Sequence, residues 1–311
     1  MKSFREISRL TTYTVATLLI GSAGAIVPSS ALGQEKKTDE QGKVEFINEI
    51  RKAAEQGDAA EQTLLGSLYE EGRLVRQDYV QAARWYRKAA EKRDMIAQTG
   101  LGLLYAQGFG VPQDFAEAVR WYRMAAAQKY RGAQSLLGGM YERGQGVPQD
   151  YLEAARWYRE AAEQGDAMAQ LSLGFMYDTG RGVSQDYAEA TRWVRKAADQ
   201  GDSLAQAKLG VMYDTGRGVQ QDYVEAVRWY RKAADQGHSG AQSLLADMYV
   251  LGRGVPQDYV EAYLWFNLAA SRANGDDQQK LSKSRDQIAE KMTAQQLADA
   301  QRRAREWKPK P

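Results

Sequence analysis

Three features of this 311-residue chain have residue types that could carry chemistry. His238 is the only histidine. Acid pairs such as Asp150 and Glu153 have the composition of the carboxylate pairs that serve in hydrolysis. A repeated Gly-Arg-Gly-Val loop contains glycines like those of a phosphate-binding loop. Whether any of these features forms a site depends on the elements that position it.

The positions of these residues favour structural roles. His238 stands where other copies of a repeated pattern have a helix-capping aspartate, which predicts a substituted cap. Asp150 and Glu153 have the spacing of an aspartate version of the capping box at the start of a helix. The glycine-rich loop lacks the lysine and the strand–loop–helix context of a phosphate loop. We therefore predict no catalytic, metal-binding or cofactor-binding residue, no cofactor and no enzymatic activity.

A row of arginines on the predicted second helices is the remaining charged feature. Glutamates three residues earlier in copies two to five neutralise the row, so a solvated outer face is favoured over an anion site. The row consists of Arg84, Arg120, Arg156, Arg192 and Arg228.

All of these positions belong to a strict repeat of 36 residues. A period of this size is typical of stacked supersecondary units, each of which buries its apolar face against its neighbours. Such a chain presents a long surface rather than one cleft, and the default use of that surface is to hold other proteins. The repeat is marked by Trp85, Trp121, Trp157, Trp193, Trp229 and Trp265.

Each copy is predicted to fold as two helices. In copy four, Asp166 is placed to cap the first helix and Gly180 to end it. Glycines recur in the middle of the first helices, from Gly66 to Gly210, although glycine disfavours a helix interior by about 1 kcal/mol. Their recurrence indicates a close crossing opposite the alanines of the second helix. The tryptophans and tyrosines are assigned to packing.

The first 33 residues do not belong to the repeats. Three basic residues precede an apolar run from about residue 13 to 27, and small residues follow, which is the order of a secretory signal peptide. A transmembrane anchor would need about 20 apolar residues, more than this run provides. Cleavage is expected after Gly33 or after Ala31, which would leave no stable membrane span. The protein is expected to be exported and to be periplasmic or extracellular.

Composition narrows the classes of partner. The absence of cysteine excludes disulfides and thiolate metal sites. The 42 basic and 40 acidic residues nearly balance. The signal segment contains more basic than acidic residues, so the mature protein is neutral overall. Nucleic-acid binding would require a strongly basic face, and a protein or peptide partner is expected instead.

These features predict an all-α fold, a right-handed α-solenoid of six 36-residue helix–turn–helix repeats with helical caps at both ends. The six copies are 58–93, 94–129, 130–165, 166–201, 202–237 and 238–273. The predicted order is a signal peptide (1–33), a flexible leader (34–41), an N-terminal capping helix (42–57), the repeats (58–273), a C-terminal capping helix pair (274–307) and a tail (308–311). Leu264 and Leu268 replace charged residues of copy five, which indicates that the terminal pair covers them.

The unit resembles a known family. Its pattern Gly-Asp-x-x-Ala-Gln-x-x-Leu-Gly-x-x-Tyr, followed by Gly-x-Gly-Val-Pro-Gln-Asp-Tyr and Ala-x-x-Trp-Tyr-x-x-Ala-Ala, is similar to the Sel-one-like repeat, a relative of the tetratricopeptide repeat with a longer loop. The resemblance covers residues 58–273. It implies a protein that assembles complexes, modulates envelope signalling or contacts host cells. Some members with cysteine-rich repeats are associated with β-lactam binding or hydrolysis, but this chain lacks those cysteines.

The resemblance also places the first helices on the concave side of the array, where positions that vary between copies are candidates for binding a partner. An apolar strip with acidic neighbours suits an extended peptide or a helix that carries basic residues. Neutral drift of solvent-facing positions is the alternative. The candidates are Leu103, Phe175 and Val211 in the strip, edged by Glu142, Asp178 and Asp214.

Three functional hypotheses follow. The favoured one is a secreted or periplasmic scaffold or adaptor that binds a protein or peptide partner through its concave face. The second is a cell-wall-associated enzyme or wall-binding protein that acts on β-lactams or murein. The third is a passive structural spacer. The sequence leaves the identity of the partner and the oligomeric state open.

Overall fold

The computed structural model describes residues 35–310, which form fifteen α-helices and no strand. The helices are α1 Glu35–Gln56, α2 Ala59–Glu71, α3 Tyr79–Glu91, α4 Met95–Gln107, α5 Phe115–Ala126, α6 Arg131–Arg143, α7 Tyr151–Glu163, α8 Ala167–Thr179, α9 Tyr187–Asp199, α10 Ser203–Thr215, α11 Tyr223–Asp235, α12 Ser239–Leu251, α13 Tyr259–Arg272, α14 Gly275–Ala289 and α15 Ala294–Glu306. Helices α2 to α13 are the six pairs expected of an α-solenoid, so the predicted fold class is confirmed. The predicted signal peptide lies outside the described residues.

The first helix begins earlier than predicted. Residues 35–41, expected to belong to a flexible leader, are helical and continue into α1. The stretch consists mainly of glutamate, lysine and glutamine, which are good helix formers, and it contains no proline. Further along α1, Ile47 and Ile50 are buried against Leu65 and Leu68 of copy one, as expected of a capping helix.

Aspartates cap the second helices as predicted, but the glutamates act differently from the prediction. Asp186 Oδ1 accepts hydrogen bonds from the backbone N–H groups of Ala188 (2.9 Å) and Glu189 (3.0 Å). The carboxylate of Glu189 pairs with Arg192 one turn later, at 3.0 Å, rather than closing a capping box. Among the described helices, the reciprocal bonds of a capping box occur at Thr293 and Gln296, at the start of α15.

The repeated Gln-Asp pair closes the loop between the two helices of each copy. The glutamine side chain donates from Nε2 to a backbone carbonyl seven residues earlier, at 2.7–2.9 Å, and the aspartate then caps the second helix. The donors and acceptors are Gln77 and Glu70, Gln113 and Ala106, Gln149 and Glu142, Gln185 and Asp178, Gln221 and Asp214, and Gln257 and Val250. Every loop is therefore closed by bonds within its own copy.

The second glycine of the loop allows close contact with the preceding copy. Gly110 has φ of +69°, and a Cβ there would lie 2.1 Å from the carbonyl oxygen of Tyr79. Leu74 takes the equivalent place in copy one with φ of +61°, and its side chain is exposed. An alkyl side chain is tolerated at Leu74 because it points to solvent.

The glycines in the middle of the first helices mark a close crossing, as predicted, but the nearest group is usually an aromatic ring. A Cβ on Gly210 would lie 2.5 Å from Cδ1 of Tyr230. A Cβ on Gly174 would lie 2.7 Å from Cγ2 of Val194 and 3.2 Å from the carbonyl oxygen of Ala190. The tyrosine that recurs in the second helices thus packs against these glycines, and in some copies an alanine carbonyl also lies close to them.

The chain divides into two compact units, with the boundary between Ala161 and Ala162. In the first unit, the repeated tryptophan packs where one helix pair contacts the preceding helices. Trp121 of copy two belongs to a buried cluster with Ala83 and Tyr86 of copy one and with Leu101 and Leu104 of its own first helix. Trp85 packs in the same way against α1.

The second unit repeats this packing and ends with the helix pair α14 and α15. Leu264 and Leu268 are buried in one cluster with Ile288 of α14 and Ala300 of α15, which confirms the predicted docking of the terminal pair. Arg285 of α14 donates to Asn267 Oδ1 at 3.2 Å.

The tail after α15 also contacts the second unit. Trp307 packs edge-on against Trp265 with 6.4 Å between ring centroids, and the Arg272 guanidinium lies 4.6 Å from the Trp307 ring. Lys310 pairs with Asp235 at 2.8 Å and donates its backbone N–H to the Asp235 carbonyl.

Candidate interaction surface

In the second unit, the predicted apolar candidates lie on the first helices of copies four and five. Phe175 on α8 and Val211 on α10 are both half-buried, and each packs against a core cluster while keeping part of its side chain exposed. The ammonium group of Lys208, also on α10, lies 5.3 Å from the centroid of the Phe175 ring. This part of the strip therefore combines apolar surface with a cation.

Asp178, predicted to be an acidic edge of the strip, is buried and already paired. Its carboxylate contacts Lys208 Nζ at 2.8 Å and Arg217 Nε at 2.9 Å. The Arg217 guanidinium also lies 4.2 Å from the ring centroid of Tyr187. The Asp178 carboxylate, 6% exposed, joins copies four and five rather than facing a partner.

Asp214 lies beside the tyrosine of its own copy. Tyr230 Oη donates to Asp214 Oδ2 at 3.3 Å. Burial raises the pKa of Tyr230, and the neighbouring carboxylates of Asp214 and Asp247 raise it further. The negative charge near copy five thus comes from Asp214 together with Asp247, a residue that we did not predict in the site.

The first unit contains the other two predicted residues. Leu103 on α4 is half-buried and packs against the cluster that includes Tyr122 and Leu137. Glu142 on α6 accepts a hydrogen bond from Tyr158 Oη at 2.7 Å. A carboxylate can accept several hydrogen bonds, so this one bond leaves Glu142 with capacity for more.

The hydrogen bonds between a tyrosine and an acid recur at fixed positions of the repeat. Comparing these two positions across the six copies of the sequence could have revealed them. In copies one, three and five, a tyrosine of the second helix donates its hydroxyl to an acid 16 residues earlier. Copy six has Val250 and Phe266 at the two positions, so both polar groups are replaced together. Copy four keeps Asp178 but has Val194 in place of the tyrosine, and Lys208 and Arg217 supply the pairing instead.

In copy one, the acid that the tyrosine contacts has a shifted pKa. Tyr86 Oη donates to Glu70 Oε2 at 2.7 Å. Burial raises the pKa of Glu70 to about 7, although the hydrogen bond from Tyr86 opposes the shift. Glu70 is therefore partly protonated at neutral pH.

In both units, the second helices have the charge pairs that were predicted. The arginine row pairs with glutamates three residues earlier at Glu117–Arg120, Glu153–Arg156, Glu189–Arg192 and Glu225–Arg228, at 2.7–3.2 Å. Lys196 lies 4.0 Å from the ring centroid of Trp193, and Lys232 lies at the same distance from Trp229. Lysine side chains thus cover the buried tryptophans from the solvent side.

His238 has the structural role predicted for it. Its Nδ1 accepts a hydrogen bond from the backbone N–H of Ala241 at 3.0 Å, which caps α12. Burial lowers the pKa of His238, which favours the neutral imidazole that this cap requires.

Residues 35–310 contain no group of three or more histidine, aspartate or glutamate side chains placed to hold a metal ion. None of the helices described there is long and apolar enough to cross a bilayer.

Comparison with protein families explains the repeat. The model for the Sel1 repeat matches residues 62–94, 96–130, 132–166, 167–202, 203–238 and 239–274. The chain belongs to the Sel1 repeat family. Sel1 repeat proteins are generally scaffolds for protein–protein interaction and are typically non-catalytic.

Two solved structures of Sel1 repeat proteins are similar to this chain. One is a protective antigen of uropathogenic Escherichia coli strains with an SLR fold, 39% identical over 84% of this chain, with a TM-score of 0.73. This chain spans 56% of that antigen, little more than half its length. The other is a Sel1 repeat protein from Oxalobacter formigenes, 32% identical over 76% of this chain and 98% of that one, with a TM-score of 0.64. A search of curated proteins found no match.

Proposed function

We propose that this protein is an exported interaction scaffold whose first helices bind an extended or helical segment of a partner protein. The observation that carries the proposal is the partial exposure of Phe175 and Val211 on the first helices of successive copies. Constant positions on the same helices, such as Leu173 and Leu209, are fully buried. Partly exposed apolar side chains beside charged groups are the kind of anchor that peptide-binding surfaces use.

Membership of the Sel1 repeat family supports this role because its members generally mediate protein interactions. The acidic residues of the surface indicate where a basic group of the partner would bind. Asp178 is used within the array, so a basic group of the partner would meet Asp214 and Asp247 rather than Asp178. The proposed role requires no catalysis.

Photo-crosslinking tests the surface. A photoreactive residue at position 175 should capture a partner in living cells, and mass spectrometry should identify it. Val224 is the matched position for the control, because it is exposed and apolar and lies on a second helix of the same unit. A residue at position 224 should not capture the same protein.

The captured protein would then be tested with purified variants. Phe175→Asp should weaken its binding at least about tenfold, the effect of losing roughly 1.4 kcal/mol, without reducing helicity. Val224→Asp should bind as the unsubstituted protein does. Equal affinity of the two variants would place the binding site elsewhere.

Export is part of the same proposal and rests on the charged, apolar and small segments of residues 1–33. Intact-mass measurement of the protein from fractionated cells should give a chain that begins close to Gln34. Recovery of the chain with residue 1 intact in the cytoplasm would contradict export while leaving the interaction surface untouched.

A further inference from the structure

A hydrogen bond that recurs between neighbouring copies is missing at the start of the array. In the first unit, an arginine of one second helix donates to a tyrosine hydroxyl on the next first helix, 18 residues later. The pairs are Arg87 with Tyr105 at 2.7 Å and Arg123 with Tyr141 at 2.6 Å. Arg51 of α1 and Tyr69 of α2 occupy the equivalent positions. Arg51 donates instead to Asn48 Oδ1 at 3.5 Å, and no described residue forms a hydrogen bond with the Tyr69 hydroxyl.

A cavity of about 570 Å³ opens where this bond is missing. It lies between α1, the end of α2 and the loop that follows α2, all within the first unit. Cavities of roughly 300–1,000 Å³ are large enough to hold small ligands. The lining residues are Arg51, Tyr69, Val75, Arg76, Gln77 and Asp78.

Arg76 gives the cavity a second cation, which the other copies do not have. It is exposed, and within the described part of the chain its guanidinium forms no hydrogen bond or ion pair. All five N–H donors of that guanidinium are therefore available to a ligand. The equivalent positions in the other copies hold Pro112, Pro148, Ser184, Gln220 and Pro256.

Two of the other lining residues serve the loop itself. Gln77 Nε2 donates to the Glu70 carbonyl oxygen at 2.7 Å and to Tyr79 Oη at 2.9 Å. Asp78 Oδ1 caps α3. The Asp78 carboxylate still contributes one negative charge to the lining, against the two positive charges of the arginines. This balance favours an anion with a single charge over a dianion such as phosphate.

We propose that this cavity binds a carboxylate group, with the guanidinium groups of Arg51 and Arg76 and the hydroxyl of Tyr69 as its donors. The planar fork of a guanidinium matches the two oxygens of a carboxylate. The Tyr69 hydroxyl can donate a further bond to the same group. The site is separate from the partner surface around Phe175, which lies in the other unit.

Four probes test the chemistry of the anion and its source. They are butyrate, a capped peptide with one central glutamate, the same peptide with glutamine, and inorganic phosphate, all added at constant ionic strength. Binding is followed by nuclear magnetic resonance of the arginine Nε–H groups. Butyrate and the glutamate peptide should shift the Arg51 and Arg76 signals to saturation, and phosphate should bind more weakly. Tighter binding of butyrate than of the peptide would identify a free acid as the ligand, and the reverse would identify an acidic side chain.

Three variants locate the site. Arg76→Pro introduces the residue of copies two, three and six, so it removes the cation while keeping a residue that the loop accepts. Its Kd for butyrate should rise at least about tenfold, as expected from the loss of a charged hydrogen bond. Tyr69→Phe keeps the ring and should weaken binding by a smaller factor. Arg84→Gln is the matched control for loss of charge, because Arg84 is exposed on α3 outside the cavity, and it should bind as the unsubstituted protein does.

Circular dichroism should show the same helicity for all three variants. The site would be overturned if neither butyrate nor the glutamate peptide gave a saturable shift, or if Arg76→Pro kept full affinity. An equal loss of affinity in Arg84→Gln would mean that only net charge matters. Equally tight binding of phosphate or of the glutamine peptide would contradict a carboxylate site. Failure of position 175 to capture a partner would not affect these measurements, because they concern the other unit.

Discussion

At the scale of single residues, burial changes the ionisation of Glu70 and gives the protein a pH dependence with a definite sign. The carboxyl has a pKa of about 7 in the folded protein, against an ordinary value of 4.5. Between these two values the folded chain holds a proton that the unfolded chain releases. Stability therefore falls as the pH rises from about 4.5 to 7, because the unfolded chain binds fewer protons over that range.

Glu70→Gln should remove this dependence. The amide keeps an acceptor for the Tyr86 hydroxyl and does not ionise, so the variant avoids the cost of a buried negative charge. We expect its gain in melting temperature over the unsubstituted protein to be larger at pH 8 than at pH 5, by a few degrees. Thermal unfolding followed by circular dichroism at the two pH values is the measurement. An equal gain at both would show that Glu70 does not titrate in this range.

His238 shows how a chemically reactive side chain can have a wholly structural use. Its pKa is lowered by burial, and its ring nitrogen replaces the aspartate oxygen that caps the first helices of other copies. Asp94 caps the equivalent helix of copy two by accepting from the backbone N–H of Ala97 at 2.8 Å. The shared geometry explains why position in the repeat predicted the role of His238 better than its residue type.

At the scale of the helices, a glycine inside a helix is required where a second helix crosses closely and is dispensable where nothing packs against it. Gly210→Ala would gain about 1 kcal/mol in helix preference, but the new Cβ would lie 2.5 Å from the fully buried ring of Tyr230. Overpacking of this kind costs roughly 1–3 kcal/mol. We expect net destabilisation, measured as a lower midpoint of denaturant unfolding.

Gly42→Ala is the matched control. Gly42 lies within α1, and nothing is within 4 Å of a Cβ built there. The same substitution should therefore stabilise the protein by about 1 kcal/mol. If both variants proved stabilising, the crossing would be looser than the distances indicate.

Helices and their caps could be predicted from the sequence because their signals are local. Asp186 and Gly180 have the residue types that helix ends require, and the six copies repeat them. The start of α1 was missed for a related reason. Charged and polar residues suggested a leader, yet glutamate, lysine and glutamine also favour helix once α1 is anchored by Ile47 and Ile50.

At the scale of the whole molecule, the C-terminal tail should stabilise the second unit. Removal of residues 307–311 would take away the Trp307 contact with Trp265 and the pairing of Lys310 with Asp235. Aromatic pairs contribute about 0.5–1.5 kcal/mol beyond the area that they bury. We expect faster amide hydrogen exchange in α11 and α13 after truncation, measured by mass spectrometry.

Exchange in α2, which belongs to the other unit, should not change on truncation. Lys308→Ala is the control because Lys308 is exposed beside the contacts that matter. Unchanged exchange in α13 of the truncated protein would mean that the tail contributes nothing to stability.

The candidate surface was only partly predictable, because its contacts join residues that are distant in sequence. Variation between copies identified Phe175 and Asp178 as candidates. Asp178 is nevertheless paired with Lys208, 30 residues later, and with a loop arginine that follows in copy five. Such pairings depend on how neighbouring copies stack, so the position of the charge was predicted and its availability was not.

The glutamine that closes each loop has a consequence for how the chain can change over generations. Gln185 bonds back to the carbonyl of Asp178, seven residues earlier, and the neighbouring Asp186 caps α9, so the bond fixes the length of the loop between the two helices. A residue inserted between Asp178 and Gln185 would change that spacing and disturb the bond. Duplication or loss of one whole 36-residue segment leaves the spacing intact, since every copy carries its own donor and acceptor. Recombination between copies can therefore lengthen or shorten the protein in whole units without disturbing its loops.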